Sequence, residues 1–403
     1  MDLHNTDDAV TRRIRAFTDR VARLKEHDLY YYNMPVTDIL PGMKVRVNGR
    51  EMGMYASYSY LGLVGHPRIN EAAKKAVDKY GTGTNGVRML AGTLALHKEL
   101  EETIARFFGA ADAILYMSCW NANEGLFQPL LLEEDAVLTD ALNHASIIDG
   151  IRLCKAKRFI VPHGDLAAFE SALKEAQACR RRLLITDGVF SMEGEIGPLR
   201  ELADLCDRYA TTLVVDDSHA TGVLGATGRG TAEHLAVRDR IPIHTSTLGK
   251  AMGSAAGGFV AGPKAVVELL RQRSRTTLFS NSLPPAVAAS SLEAFRMLME
   301  DPSPARKLQQ NALSFRKKMT EAGFTIPKGI HPIVPVLVGD TAKALAMSDA
   351  LFRKGVYVSG FGYPVVPQGH ARLRCQISAD HTEADLDEAV AAFKAVGREF
   401  GAI

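Results

Sequence analysis

Apolar residues recur at helical spacing along much of the chain. Ile14, Phe17, Val21 and Leu24 fall on one face of a predicted amphipathic helix over 8–28. The same period predicts helices over 70–80, 94–108 and 199–210, another near HASIIDGIRLC (144–154), and then helices over 286–299, 303–322, 341–354 and 383–399. Between the earlier helices lie short apolar runs, DAILYM (112–117), RRLLITDG (181–188) and TTLVVDD (211–217), which read as buried strands. Later runs at 331–339, 356–360 and 371–378 are also strand-like. Pro35 and Pro41 break the stretch from Tyr30 to Gly42 into an irregular arm.

Short apolar strands alternating with amphipathic helices predict an α/β fold with a mainly parallel central sheet and helices on both faces. The character changes near LFSNSLPP (278–285), after which helices gather around a few strands in a smaller α+β C-terminal domain. The expected division is an N-terminal helix and arm over 1–55, a large domain over 56–285 and a small domain over 286–403.

Composition narrows the class. The 403 residues are 46% hydrophobic and 23% charged, as in a globular protein without disordered tracts. Forty-eight Lys+Arg against 46 Asp+Glu leave +2, so no overall field draws nucleic acid or an anionic membrane. No apolar run reaches the ~18 residues of a membrane span. The polar first twenty residues do not read as a signal peptide, which makes a cytoplasmic location the expectation. Five cysteines without CxxC spacing indicate neither a disulfide framework nor a zinc site, and no other metal motif is present.

GTGTNG (81–86) has the spacing of a dinucleotide fingerprint, but a helix precedes it where a strand is required, so it reads as a loop. GVLGATGRG (222–230) and GSAAGGFVAG (253–262) lack the G-K-[ST] ending of a phosphate loop. More informative is HTSTLGKAMGSAAGG (244–258), where Lys250 follows three hydroxyl residues among small side chains. Such a lysine can bond an aldehyde cofactor while hydroxyls and amides hold its phosphate, though a surface lysine beside a glycine-rich loop would look the same. In VVDDSHATG (214–222) a strand ends in two carboxylates, and side-chain alternation gives Asp216 and Asp217 different roles. Asp216 and His219 would then enter a ligand crevice; a metal-binding D-D-x-H is the alternative, without an evident third ligand. His144, just ahead of a helix in DALNHASIIDG (140–150), fits either a site residue or a helix cap.

Taken in this order, the motifs resemble the α-oxoamine synthases, which depend on pyridoxal 5′-phosphate (PLP) and share fold type I. The resemblance runs from YLGLVGHP (60–67) to ARLRCQISADHT (371–382). It is strongest to the glycine C-acetyltransferases in DALNHASIIDGIRLCKAKR (140–158), TDGVFSMEG (186–194), DDSHATG (216–222), TLGKAMG (247–253), RQRSRTTLFSNSLPP (271–285) and GYPVVPQGHARLR (362–374). It implies that Lys250 bonds the cofactor, Asp216 pairs with its pyridine nitrogen and His219 meets its ring hydroxyl. His144 would stack on the ring and help polarise the thioester, while Ser191 would position the ring oxygen. Cys119 and Trp120 at a helix start and Thr247 would hold the phosphate, joined by Ser280 and Asn281 from the second subunit of a homodimer. Arg374 would bind the amino-acid carboxylate.

The implied reaction joins a small amino acid to an acyl thioester, glycine and acetyl-CoA giving 2-amino-3-oxobutanoate and CoA. One departure stands out. ASYSYLGL (56–63) puts Tyr58 where the glycine C-acetyltransferases place an asparagine at the substrate, as serine palmitoyltransferases do. That leaves two readings of Tyr58. It is a tolerated change, or it marks serine, alanine or another amino acid with a longer acyl-CoA or acyl-carrier protein. A silent partner subunit fits poorly, because the lysine is present.

Overall fold

The computed structural model describes residues 8–26, 30 and 35–403. Its centre is a seven-stranded sheet: β1 (Asp112–Tyr116), β2 (Ala136–Asp140), β3 (Lys157–Val161), β4 (Arg182–Asp187), β5 (Thr212–Asp216), β6 (Ile243–Thr247) and β7 (Gly258–Gly262). The strands lie in the order β1-β7-β6-β5-β4-β2-β3. Neighbouring pairs from β6 to β3 are parallel, and β7 runs antiparallel to both β6 and β1. The mainly parallel sheet expected from the apolar runs is therefore present.

Parallel strands need both faces covered, and the side chains alternate accordingly. Ile114, Val137, Ile185, Val214 and Val260 pack with Leu126 and Phe127 of the Cys119–Leu130 helix on one face. Leu138, Leu184, Leu213 and Val215 point the other way, against Phe169 and Leu202 of the helices Leu166–Glu175 and Leu199–Arg208. Toward β1 and β7 the second face is covered by the helices Ala95–Phe108 and Pro285–Glu300, where Phe107, Phe259 and Phe295 meet.

The C-terminal part contains a three-stranded antiparallel sheet (Ile333–Gly339, Ala371–Gln376, Ser359–Phe361) packed on the helices Ser303–Glu321, Thr341–Arg353 and Glu383–Glu399. The single strand expected over 356–360 is instead two. Val356–Tyr357 pairs in parallel with Gly53–Met54, whereas Ser359–Phe361 pairs with Arg372–Arg374. Buried Val358 anchors the crossover between the two sheets in the C-terminal core.

The helix expected over 8–28 runs from Ala9 to Glu26, its last two positions lying outside the described residues. Part of the arm, 31–34, also lies outside them. The rest is less irregular than expected, because Asp38–Leu40, Lys44–Val47 and Arg50–Met54 form an antiparallel meander. Its second turn is Asn48-Gly49, both at positive φ (50° and 74°), a hairpin signal that propensity reading passed over. Residues 81–86 are a loop, as their context predicted. Among the described residues no helix is long and apolar enough to cross a membrane.

Strand β7 falls inside the glycine-rich stretch 253–262, and its first glycine has a steric purpose. A Cβ on Gly258 would stand 2.3 Å from the backbone nitrogen of Cys119, at the start of the Cys119–Leu130 helix. Gly258→Ala must therefore push helix and strand apart. The expected cost is about 1–3 kcal/mol of stability, read as a lower urea midpoint; an unchanged midpoint would show that the contact is not tight.

Candidate active site

Several of the chemistry-bearing residues stand at or just beyond the carboxyl ends of the central strands. Asp187 ends β4, Asp216 ends β5, Thr247 ends β6, and His144 follows β2 by four residues. This is where a parallel sheet opens its ligand crevice. Lys250 lies in the turn after β6, with its Nζ 2.9 Å from Nε2 of His219. Desolvation in the cleft lowers the lysine from 10.5 to about 8, with Asp216 opposing and Arg374 adding to the shift. His219 is buried, and burial together with the Lys250 and Arg374 charges keeps it far below its ordinary range. Its Nδ1 lies 2.9 Å from the Tyr60 hydroxyl, which accepts from Gln376 Nε2 at 3.1 Å. The imidazole of His331 reaches the His219 carbonyl at 2.8 Å.

Asp216 is buried and supplied with donors. Asn123 Nδ2 gives to one carboxylate oxygen at 2.6 Å, and the Ser218 backbone N–H gives to the other at 2.9 Å. Cys119 Sγ stands 3.7 Å away, its thiol pushed well above the ordinary range by burial and then by Asp216. Asp217 turns from the crevice, as strand alternation requires. Thr231 donates to it through both hydroxyl and backbone N–H, and burial raises it to about 7. The D-D-x-H sequence therefore does not converge as a metal set, and no cluster that could hold a metal exists among the described residues.

His144 caps the Ala145–Leu153 helix, the second of the two alternatives offered by the sequence. Its Nδ1 lies 2.7 Å from Ser146 Oγ, its backbone N–H donates to Asp187 at 3.0 Å, and the Trp120 indole meets it edge-on at 5.9 Å. Burial lowers its pKa, with Asp216 opposing. Burial also drives Asp187 well above the carboxylate range, and the Asp216 charge adds to that.

Cys119 and Trp120 open a helix whose cap, Ser118, accepts from Asn121 N–H at 3.2 Å. The Thr247 hydroxyl is fixed between Gly249 N–H (3.1 Å) and the Gly257 carbonyl (3.2 Å). Arg374 is buried and donates from Nε to the Ser191 carbonyl at 2.6 Å. The Tyr58 ring stands beneath two cations, 5.3 Å from Lys250 Nζ and 5.8 Å from the Arg374 guanidinium. Contacts link Lys250, His219, Tyr58, Arg374 and Ser191 in one group. Asp216, Cys119, His144 and Trp120 form a second, joined through Asn123 and Ser146, and the Asp216 charge acts on Lys250 across the cleft.

Ser280 and Asn281 stand apart. Asn281 bridges to Val87, and both line a small cavity with Arg88, Tyr116 and Thr276. Among the described residues neither shares a hydrogen bond with the Lys250 cluster. Sequence reading missed Asn123, Tyr60, Gln376 and Ser146, the groups that hold Asp216, His219 and His144. Asn123 lies in the MSCWNAN segment and Tyr60 in ASYSYLGL, but no spacing announces which side chains will meet across the fold.

The class I and II aminotransferase family model matches residues 54–393. A Bos taurus protein named 2-amino-3-ketobutyrate coenzyme A ligase, mitochondrial, is 51% identical over 364 residues, covering 90% of this chain and 87% of its own length. The Escherichia coli (strain K12) protein named 2-amino-3-ketobutyrate coenzyme A ligase is 48% identical over 358 residues, covering 88% and 90%. A solved structure of SPT, serine palmitoyltransferase, with a PLP internal aldimine is 29% identical with a TM-score of 0.94, covering 98% of this chain and 100% of that one. The architecture is that of PLP-dependent transferase fold type I, as the motifs implied.

The cleft lysine has a direct test. In cofactor-free protein, Lys250 is expected to be charged below about pH 8 and neutral above it. Carbon-13 NMR of reductively methylated lysines, with Lys250→Met to assign the signal, reads the midpoint. A value near the ordinary 10.5 would mean that the cleft does not desolvate the amine.

Proposed function

Since this chain belongs to the class I and II aminotransferase family, in its α-oxoamine synthase branch, we propose that it uses PLP to join glycine to acetyl-CoA, giving 2-amino-3-oxobutanoate and free CoA. The observation that carries the reading is the half-buried Lys250 amine, lowered to about 8 and 2.9 Å from His219, in a chain 51% identical to the bovine ligase.

The residues present fit the cofactor. The cleft offers a lysine amine near neutrality, a hydrogen-bonded carboxylate at Asp216, an imidazole at His219 and a capped helix start cleared by Gly258. Lys250 would bond its aldehyde and Asp216 its ring nitrogen. His219 and Ser191 would meet the ring oxygen, and His144 would stack. Cys119 and Trp120 would hold the phosphate through backbone N–H groups at the helix start, where an anion is favoured, with Thr247 adding its hydroxyl. Bound there, PLP supplies an aldehyde that captures the amino group and a protonated ring that takes up the electrons released at the α-carbon.

The protein's own groups do the rest. Arg374, braced on the Ser191 carbonyl, is a fixed cation for the amino-acid carboxylate. Lys250 takes the α-proton; an amine with a pKa near 8 is neutral in roughly one molecule in ten at pH 7, against about one in three thousand at 10.5. A carbon–carbon bond then forms between the glycine α-carbon and the acetyl carbonyl, while the carbon–sulfur bond breaks and CoA leaves as the thiol.

The identities of 51% and 48% to the proteins named 2-amino-3-ketobutyrate coenzyme A ligase support glycine, and the Tyr58 ring beside Lys250 and Arg374 is the point at which the two readings part. The likeness to serine palmitoyltransferase at a TM-score of 0.94, with a tyrosine at 58, supports a second reading with serine and a longer acyl thioester. A homodimer with shared sites is part of the proposal. Ser280 and Asn281 do not join the cluster of their own chain, and exposed Phe279, Met89 and Leu90 suit a subunit contact. The division into arm, large domain and small domain at 56 and 286 belongs to the same reading.

Purified PLP-loaded protein given glycine and acetyl-CoA is expected to release free thiol rapidly. Lys250→Ala should lose both that turnover and the borohydride-reducible absorbance; an active Lys250→Ala protein would refute the assignment. Tyr58→Ala should lower the glycine-to-serine ratio of kcat/KM by about tenfold or more, the scale set by opening a small pocket. An unchanged ratio would make Tyr58 a tolerated variation. Mixing Lys250→Ala with Asn281→Ala subunits should restore activity that neither has alone, because one site of each hybrid is intact; no restoration would remove Asn281 from a shared site.

A further inference from the structure

Two donors converge on one nitrogen of His144. Its Nδ1 lies 3.3 Å from the backbone nitrogen of Ser146 and 2.7 Å from the hydroxyl of the same residue. A backbone N–H can only donate, so Nδ1 accepts, and an accepting ring nitrogen bears no hydrogen. The Ser146 hydroxyl, facing the same lone pair, must turn its own hydrogen toward it. Its oxygen is then an acceptor for Asn123 Nδ2 at 3.0 Å, and that amide nitrogen also donates to Asp216 at 2.6 Å.

The direction is consistent at every link: Asn123 gives to Asp216 and to Ser146, and Ser146 gives to His144. Turning the amide over would set its oxygen against the Asp216 carboxylate, acceptor facing acceptor. The buried Asn123 Oδ1, which has no partner among the described residues, is the consequence. A buried acceptor left unpaired is costly, and the chain retains it to keep the donors aligned.

We propose that Ser146, oriented by Asn123, is a positioning residue that holds neutral His144 in the Nε2–H tautomer, so that this ring offers the acyl thioester a hydrogen-bond donor and not a base. Among the described residues nothing bonds Nε2. The charged and titratable groups acting on the ring are Asp216 from β5, Lys250 from the turn after β6 and His219, while Asp187 from β4 meets the His144 backbone N–H. Burial outweighs the pull of Asp216 and keeps the ring below its ordinary pKa, which is the condition for a neutral tautomer to matter. The inference rests on the reading above only in placing His144 beside the substrates.

The experiment is two-bond proton–nitrogen NMR of PLP-loaded protein labelled with 15N-histidine, the His144 ring assigned by its disappearance in His144→Asn. A protonated Nε2 with an unprotonated Nδ1 is expected, and a protonated Nδ1 would overturn the proposal whatever the substrates prove to be. In Ser146→Ala only the longer backbone N–H contact at 3.3 Å is left to hold the tautomer; the Nδ1–H form should gain population, and kcat should fall about three- to tenfold, the weight of the lost hydroxyl hydrogen bond, with the KM for the amino acid unchanged. Ser146→Thr should restore both readouts. A Ser146→Ala protein with unaltered tautomer and kcat would also overturn the proposal. Absence of glycine and acetyl-CoA turnover in wild-type protein with the expected tautomer would instead count against the proposed reaction alone.

Discussion

A carboxylate buried at the end of β5 must be solvated by the protein itself, and much of the cleft follows from how this is done. Asp216 draws one donor from the Cys119–Leu130 helix, through Asn123, and one from its own turn, through the Ser218 N–H. Both donors come from elements fixed by the sheet, so they face the carboxylate in set directions. A buried carboxylate stripped of such partners would cost several kcal/mol or take up a proton. The same Asn123 amide reaches on to Ser146, so solvating Asp216 and orienting His144 are one piece of structure.

The neighbouring acids are held differently. Asp187 is buried alongside Asp216, and it is pushed well above the carboxylate range by burial and by that neighbour. Asp217, one residue along the chain, points to the opposite side and is satisfied by Thr231 instead. Three acids at the ends of two adjacent strands therefore occupy three settings: strand alternation turns Asp217 away from the other two, while Asp187 and Asp216, opposite each other in register, differ in the donors that reach them.

On the other side of the cleft the balance is between burial and charge on a cation. Lys250 is lowered because little water reaches its amine and Arg374 stands nearby, while Asp216 restrains the fall. His219 lies between this amine and Tyr60, and its own burial keeps it from adding another positive charge. Gln376 and Tyr60 come from the C-terminal sheet and the segment after the arm, so the two parts of the chain meet around one imidazole.

The sequence by itself determined the alternation of apolar strands and amphipathic helices, and with it a parallel sheet whose carboxyl edge carries Asp216, His219 and Lys250. Those are local facts, since side-chain period and strand length are properties of short segments. The motifs also named His144, Arg374 and Tyr58 as candidate site residues. Tertiary structure decided what touches what. It set β7 antiparallel in a glycine-rich stretch, split 356–360 between two sheets and left Ser280 and Asn281 away from their own chain's lysine. It also brought Asn123, Ser146, Tyr60 and Gln376 to the groups they hold, across separations as long as the 316 residues between Tyr60 and Gln376. No periodicity spans such distances, because the hydrogen bonds of a buried site are chosen by packing across the fold and not by spacing along the chain.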